Sequence, residues 1–205
     1  MKTAVEENVK KAIDTYNKYA KLYADRHADK VLQFQLNEFI SKLPGKKILD
    51  VGCGSGRDVQ YFMEEGLDVV GIDLSDGMLS EAKSRCPDCK FEKMDVLSIS
   101  YPEDTFDGVW VMASLSDIPK ANVLKALEGM NKVMKSNGVI YIAVKEGDGE
   151  KLIEKKQYEN SPRFYSLYRK QELEDYMKKA NFKIISSVVS EDEGTRWVEV
   201  TAKKL

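Results

Sequence analysis

The chain predicts an α/β fold: one seven-stranded, doubly wound and mostly parallel sheet, with an antiparallel C-terminal hairpin and helices on both faces. Three observations lead there. Apolar runs of five to seven residues alternate with amphipathic stretches between positions 47 and 144, the pattern of strands joined by crossover helices. Glycines cluster at Gly52, Gly54 and Gly56, between the first strand and the first crossover helix. Finally, two strand-like runs at 183–190 and 196–202 follow each other with only a turn between them, and such short connections pair strands antiparallel.

Each element has a local reason. Residues 5–43 read as helical, because Ile13, Tyr16, Tyr19, Ala20 and Tyr23, then Leu32, Leu36, Phe39 and Ile40, recur at helical spacing. Pro44-Gly45 stops them. The first strand, 47–51, leads through the glycines to a helix at 58–65 that ends at Gly66. A strand at 68–73 precedes a helix at 76–85, for which Ser75 is the N-cap. Strands at 90–94 and 106–112, a helix at 120–134 and a fifth strand at 138–144 continue the alternation. A polar loop and a charged, aromatic insertion at 151–169 come next, then a helix at 171–180 and the closing hairpin. The organisation is one domain: an N-terminal helical lid (1–44), a core (45–144), a substrate-side insertion (145–170) and a C-terminal helix and hairpin (171–205).

The chemistry concentrates in Ile48-Leu-Asp-Val-Gly-Cys-Gly-Ser-Gly-Arg57. Glycines in a turn between a strand and a helix let a ligand approach the main chain, the ground plan of nucleoside binding in open α/β sheets. A dinucleotide fingerprint wants a small residue one position after Gly56, where this chain has Arg57. Asp50 would repel a pyrophosphate and attract a cation. Asp73 ends the second strand seventeen residues beyond Gly56, about where an acidic residue meets a ribose diol, and a carboxylate can accept from both hydroxyls. Asp95 ends the third strand in the same way. Taken singly, each Asp could be no more than a helix cap.

These segments resemble the class I S-adenosylmethionine-dependent methyltransferases, in particular small-molecule enzymes of the type 11/25-like group. The resemblance runs from about Tyr16 to the C-terminus and is most specific over 48–118. It implies a Rossmann-like sheet in the order 3-2-1-4-5-7-6, with strand 7 antiparallel, and S-adenosylmethionine as cofactor. It implies cofactor contacts for the turn Asp50, Gly52, Cys53, Gly54, Gly56 and Arg57, for Asp73 at the ribose, and for Leu74, Met78, Asp95 and Val96 around the adenine. Ala113 and Ser114, in the exit from the fourth strand, would lie beside the methionine half. Many relatives carry a histidine in this loop, where this chain has Ser116 or Asp117, so a histidine base at this place is ruled out. Tyr16-Asn-Lys-Tyr-Ala-Lys-Leu-Tyr23 is similar to the family's lid helix, whose tyrosines, here Tyr16 and Tyr23, close over cofactor or acceptor. Acceptor-side candidates are Asp117, Glu146, Arg163 and Tyr165. Positioning suffices for transfer from a sulfonium, and no dedicated catalytic residue emerges; Asp117, Tyr16, Tyr23, His27 and Glu146 are the groups able to take a proton.

Composition bounds the partners. Of 205 residues, 32 are basic and 34 acidic, so there is no global footprint for nucleic acid, and no apolar run reaches the roughly 20 residues of a membrane span. The acceptor is therefore expected to be a small molecule, with a tRNA or protein methyltransferase, or a non-catalytic cofactor-binding subunit, as the competing readings. The protein is expected to be a cytoplasmic monomer or homodimer. Three cysteines, Cys53, Cys86 and Cys89, with one His, are too few for a closed zinc site, and their odd number suggests free thiols in a reducing compartment. Cys86-Pro-Asp-Cys89 reads as a loop without metal or redox role.

Overall fold

The computed structural model describes residues 4–205. Three helices, α1 (Ala4–Lys18), α2 (Ala20–His27) and α3 (Gln33–Ile40), lead into β1 (Lys47–Val51). The core follows as α4 (Arg57–Glu64), β2 (Asp68–Asp73), α5 (Asp76–Arg85), β3 (Lys90–Lys93), β4 (Phe106–Met112), α6 (Lys120–Val133) and β5 (Met134–Lys145). Then come β6 (Glu150–Lys155), β7 (Ser161–Ser166), α7 (Lys170–Lys179), β8 (Phe182–Asp192) and β9 (Thr195–Lys204). The main sheet runs β3-β2-β1-β4-β5-β9-β8. With the separate β6–β7 hairpin left out of the count, this is the order the resemblance implies. Strands β3 to β5 pair in parallel and β9 runs antiparallel to both neighbours.

Strand periodicity divides the core in two. Leu49 and Val51 on β1, with Ile140, Ile142 and Val144 on β5, face α6 and α7. Ile48, with Val139, Tyr141 and Ala143, faces α3 and α4, as alternating side chains on a pleated strand must. Trp110 stacks on Tyr141 at 4.2 Å and meets Phe39 and Phe62 at 5.3 and 5.6 Å. Both faces of the sheet are covered, which places its ligand sites at the carboxyl ends of the strands.

Several expectations need correction. The N-terminal stretch is three helices, not one run, and residues 28–32 pass between α2 and α3 without helix. Strand β5 starts at Met134, four residues earlier than expected, because α6 ends at Val133 and Met134 already pairs with Phe106. The insertion is an antiparallel hairpin, with Glu150 opposite Ser166 and Lys155 opposite Ser161. Cys86 and Cys89 are joined by a disulfide, so only Cys53 is a free thiol, contrary to the reading of three free cysteines. The pair does occupy the turn between α5 and β3, and that turn brings the two sulfurs within bonding reach. Among the described residues no helix is long and apolar enough to cross a membrane, and no cluster of His, Cys, Asp and Glu is placed to hold a metal.

Candidate functional site

Two cavities open at the carboxyl end of the sheet. The first, about 200 Å³, lies over β2 and β4 among Ile72, Leu74, Met78, Val96 and Leu97, with Asp73 and Asp95 at its polar edge and Val9 and Ile13 of α1 above. The second, about 290 Å³, lies between the glycine turn, α2, the β6–β7 hairpin and the tip of β8–β9. Tyr16, Tyr23, Gly52, Gly54, Ala113 and Asp117 line both, so the two meet at the turn.

The turn is built by backbone constraint. Gly52 has φ +70°, and a Cβ there would lie 2.2 Å from Ser114 Cβ. Ser114 occupies that space because its Oγ donates to Val51 O at 2.5 Å. Gly54 has φ +53° with nothing within 4 Å of an added Cβ; main chain alone borders the cavity there. Gly56 serves a different purpose. It lines neither cavity, and a Cβ on it would press on Ala82 and Phe91 at 3.0 Å, so it lets the turn seat against α5 and β3.

Three carboxylates border the first cavity and the turn. Asp73 accepts from Gly54 N–H at 3.0 Å and Ser75 N–H at 2.8 Å, which ties the turn to β2 while leaving lone pairs on both oxygens. Burial raises its carboxyl, and those backbone bonds oppose the rise. Asp95 accepts from Leu97 N–H at 2.9 Å, which caps a short 3₁₀ turn at Val96–Ser98. Asp50 is 3% exposed, and burial, with Asp58 beside it, holds its carboxyl well above the usual range. Asp73 and Asp95 therefore do cap local backbone, as an Asp at a strand end can, while also facing the cavity.

The second cavity holds Asp58 and Lys145, which the sequence did not single out, beside His27, which it named as able to take a proton. Asp58, 6% exposed, accepts from Arg57 Nε at 2.6 Å and from Trp110 Nε1 at 2.9 Å, so Arg57 is committed to its neighbour. Lys145 lies over the rings of Tyr165 at 4.3 Å and Trp197 at 5.9 Å. Burial pulls its ammonium down, partly opposed by Asp117. His27 stacks on Tyr23 and its Nδ1 lies 2.8 Å from Tyr23 O. A cation at the end of β5 was visible in the sequence, but nothing there showed that it turns inward.

Of the acceptor-side candidates, three converge. Asp117 Oδ2 accepts from the Tyr16 hydroxyl at 2.8 Å, and Arg163 stacks on the Tyr16 ring at 3.6 Å. Arg163 and Tyr165 both line the second cavity. Glu146 does not. It is held by Arg196 at 2.8 Å and Arg169 at 3.6 Å, beyond the cavity wall, which removes it from the acceptor and proton-accepting candidates.

The helical segment and the hairpin form one cover. Thr15 Oγ1 donates to Pro162 O at 2.9 Å, Tyr19 Oη to Glu159 at 2.6 Å, and the Tyr19 and Tyr158 rings lie 5.5 Å apart. On its other side α1 is anchored to α5, where Asn17 Oδ1 accepts from Ser75 Oγ at 2.7 Å and Gly77 N–H at 3.0 Å.

Known proteins bear on this geometry. Residues 48–138, the stretch from β1 through the glycine turn to β5, match the protein family described as Methyltransferase domain. Over that stretch the chain is similar to methyltransferase domains. It is 34% identical over 104 residues to demethylmenaquinone methyltransferase of Renibacterium salmoninarum, covering 51% of this chain and 43% of that one. It is 30% identical over 197 residues to phosphoethanolamine N-methyltransferase 1 of Zea mays, covering 92% of this chain and 38% of that one. The chain thus spans less than half the length of these curated relatives. In fold, the chain matches 1,6-didemethyltoxoflavin-N1-methyltransferase of Burkholderia thailandensis, a structure with 1,6-didemethyltoxoflavin and S-adenosylhomocysteine bound. The TM-score is 0.78 at 22% identity, over 100% of this chain and 92% of that one. A methyltransferase structure from Methanosarcina mazei matches with TM-score 0.75 at 19% identity, over 82% and 97% of the two chains.

Proposed function

We propose that this chain binds S-adenosylmethionine in the apolar cavity and catalyses transfer of its methyl group to a small molecule in the adjoining polar one. The observation that carries this reading is the junction of the two cavities at Gly52, Gly54, Ala113 and Asp117: a nucleoside-shaped slot on one side and a separate, charged chamber on the other. The residues fit the cofactor. Open space beside Gly54 admits a ligand against bare main chain, and Asp73 keeps lone pairs for a diol. Leu74, Met78 and Val96 form an apolar slot edged by Asp95. Asp50 and Asp58 outnumber Arg57 near the turn, which favours a cation.

When bound, the cofactor supplies a methyl group on a sulfonium, an already activated leaving group. The protein's part is then positioning and exclusion of water. Val9, Ile13, Tyr16 and Tyr23 cover the cavities from above. Asp117 and the Tyr16 hydroxyl, hydrogen-bonded to each other, face the junction and can hold a polar hydrogen of the acceptor there. The relatives' names pair methyl transfer with molecules as different as demethylmenaquinone and phosphoethanolamine, both small relative to RNA or protein.

Calorimetric titration with S-adenosylhomocysteine tests the reading. Binding is expected for the intact protein, and Asp73→Ala should weaken it by about 1.5–3 kcal/mol, the worth of a hydrogen bond to a charged group. Absence of binding to the folded protein overturns the proposal. Equal affinity in the variant would reduce Asp73 to a backbone cap.

A further inference from the structure

The second cavity is divided by sign of charge. At the glycine turn stand Asp50 and Asp58 with Arg57, two carboxylates to one cation. Toward β5 and β7 the balance is reversed: Arg163 and Lys145 stand there, and the carboxylate near both is Asp117 at the cavity junction. Arg163 is 6% exposed, and its Nε has no hydrogen-bond partner. Its nearest carboxylate oxygen, Asp117 Oδ1, is 3.9 Å from its terminal nitrogen, too far for a hydrogen bond. Lys145 makes no ion pair among the described residues; its ammonium lies against the rings of Tyr165 and Trp197, with Asp117 near enough to attract it. The remaining charges sit at the mouth, where Lys30 pairs with Glu193 and Asp192 is exposed to water. One positive charge at this inner wall is therefore left without an answering anion. A buried cation of this kind is costly unless something compensates it. A guanidinium and an ammonium at one wall are the groups that recognise carboxylate or phosphate.

We propose that this wall binds an anionic group on the acceptor, and that the acceptor is a small amine carrying a carboxylate or a phosphate. The anion lies against Arg163 and Lys145, and the amine lies at Asp117 and Tyr16, where the two cavities meet. This rests on the methyltransferase reading above and names the substrate class of that same site. In the transfer, the lone pair of the neutral amine forms the new nitrogen–carbon bond. The carbon–sulfur electron pair stays on sulfur, leaving a thioether, and the proton shed by nitrogen passes to the Asp117 carboxylate. Asp117 is thereby a catalytic residue, while Arg163 and Lys145 set specificity.

The experiment begins with protein saturated in S-adenosylhomocysteine. Failure at that stage counts against the methyltransferase reading itself, and the same anion titrations on the unloaded protein then judge the anion site by itself. The loaded protein is titrated with inorganic phosphate and with acetate, for the intact chain and for Arg163→Met and Lys145→Met. At least one anion should bind, and each variant should weaken it tenfold or more with its S-adenosylhomocysteine affinity unchanged. Two variants on different elements guard against one that fails to fold. Methyl transfer is then compared for ethanolamine, phosphoethanolamine and β-alanine. An anionic amine should exceed ethanolamine at least a hundredfold in kcat/KM, with the phosphate or the carboxylate preferred according to which anion bound. Arg163→Met should erase that preference mainly by raising KM. Anion binding indifferent to both substitutions overturns the proposal, as does equal transfer to ethanolamine or transfer only to an uncharged quinol.

Discussion

Asp50, which the proposed function places beside the cofactor, is a buried carboxylate that costs stability. Burial and the nearby Asp58 push its carboxyl well above the usual range, with only Arg57 pulling the other way. A folded-state pKa above the unfolded one means that the native chain holds the proton more tightly. That contribution is complete below roughly pH 3.9, the ordinary Asp value, and is lost as pH rises through the folded pKa. Asp50→Asn removes this loss. Its melting temperature without ligand should exceed that of the unaltered chain at pH 7.5, and the gap should narrow at pH 4.5. S-Adenosylhomocysteine should meanwhile bind the variant less tightly, because the attraction for its ammonium is gone. Thermal scans at the two pH values, paired with calorimetry, check both halves. A variant no more heat-resistant at pH 7.5 would mean that Arg57 already neutralises the site.

Among the elements, the cover is the one whose motion matters. Helix α1 is attached by polar contacts at its two sides, Thr15 to Pro162 of β7 and Asn17 to Ser75 and Gly77 at α5. Such contacts are worth about 1 kcal/mol each, far less than the packing that holds α6 or β5. The cover can therefore open while the sheet stays folded. On binding S-adenosylhomocysteine, amides of α1, α2 and the β6–β7 hairpin should gain protection from hydrogen exchange, while those of β1, β4 and β5 change little. Gly77→Ala should blunt the gain, since its Cβ would lie 2.7 Å from Asn17 O and displace α1. Exchange that is equal with and without ligand would show a fixed roof.

For the molecule as a whole, charge is the discriminating property. With 32 basic and 34 acidic residues, and with cations such as Lys18, Lys30, Arg57, Lys120, Lys135 and Arg169 held in ion pairs, no net positive charge draws in a phosphate backbone. A filter-binding titration with tRNA should show weak association that disappears between about 50 and 200 mM salt, the range over which phosphate contacts lose affinity steeply. Tight, salt-resistant binding would favour an RNA acceptor over a small one.

What the sequence by itself determined was the sheet and the cofactor-side turn, because both follow from local rules. Alternation of apolar runs names strands and crossovers, and a glycine is required at Gly52 wherever the chain turns left-handed against a packed Ser114. Asp50, Asp73 and Asp95 were legible for the same reason: each lies at or just beyond the carboxyl end of a strand, and those ends gather at one edge in this topology. The charged wall of the second cavity was not legible. Arg163 reaches Tyr16 only because β7 folds back beneath α1, and Lys145 meets Trp197 only because β9 pairs with β5. Glu146, next to Lys145 in sequence, points to Arg196 and Arg169 and leaves the site. Adjacent residues on a strand face opposite sides, and which side is the cavity is fixed by the strands and helices packed around it. The Cys86–Cys89 bond belongs to the same class, since spacing permits a disulfide but only the turn's path brings the sulfurs together.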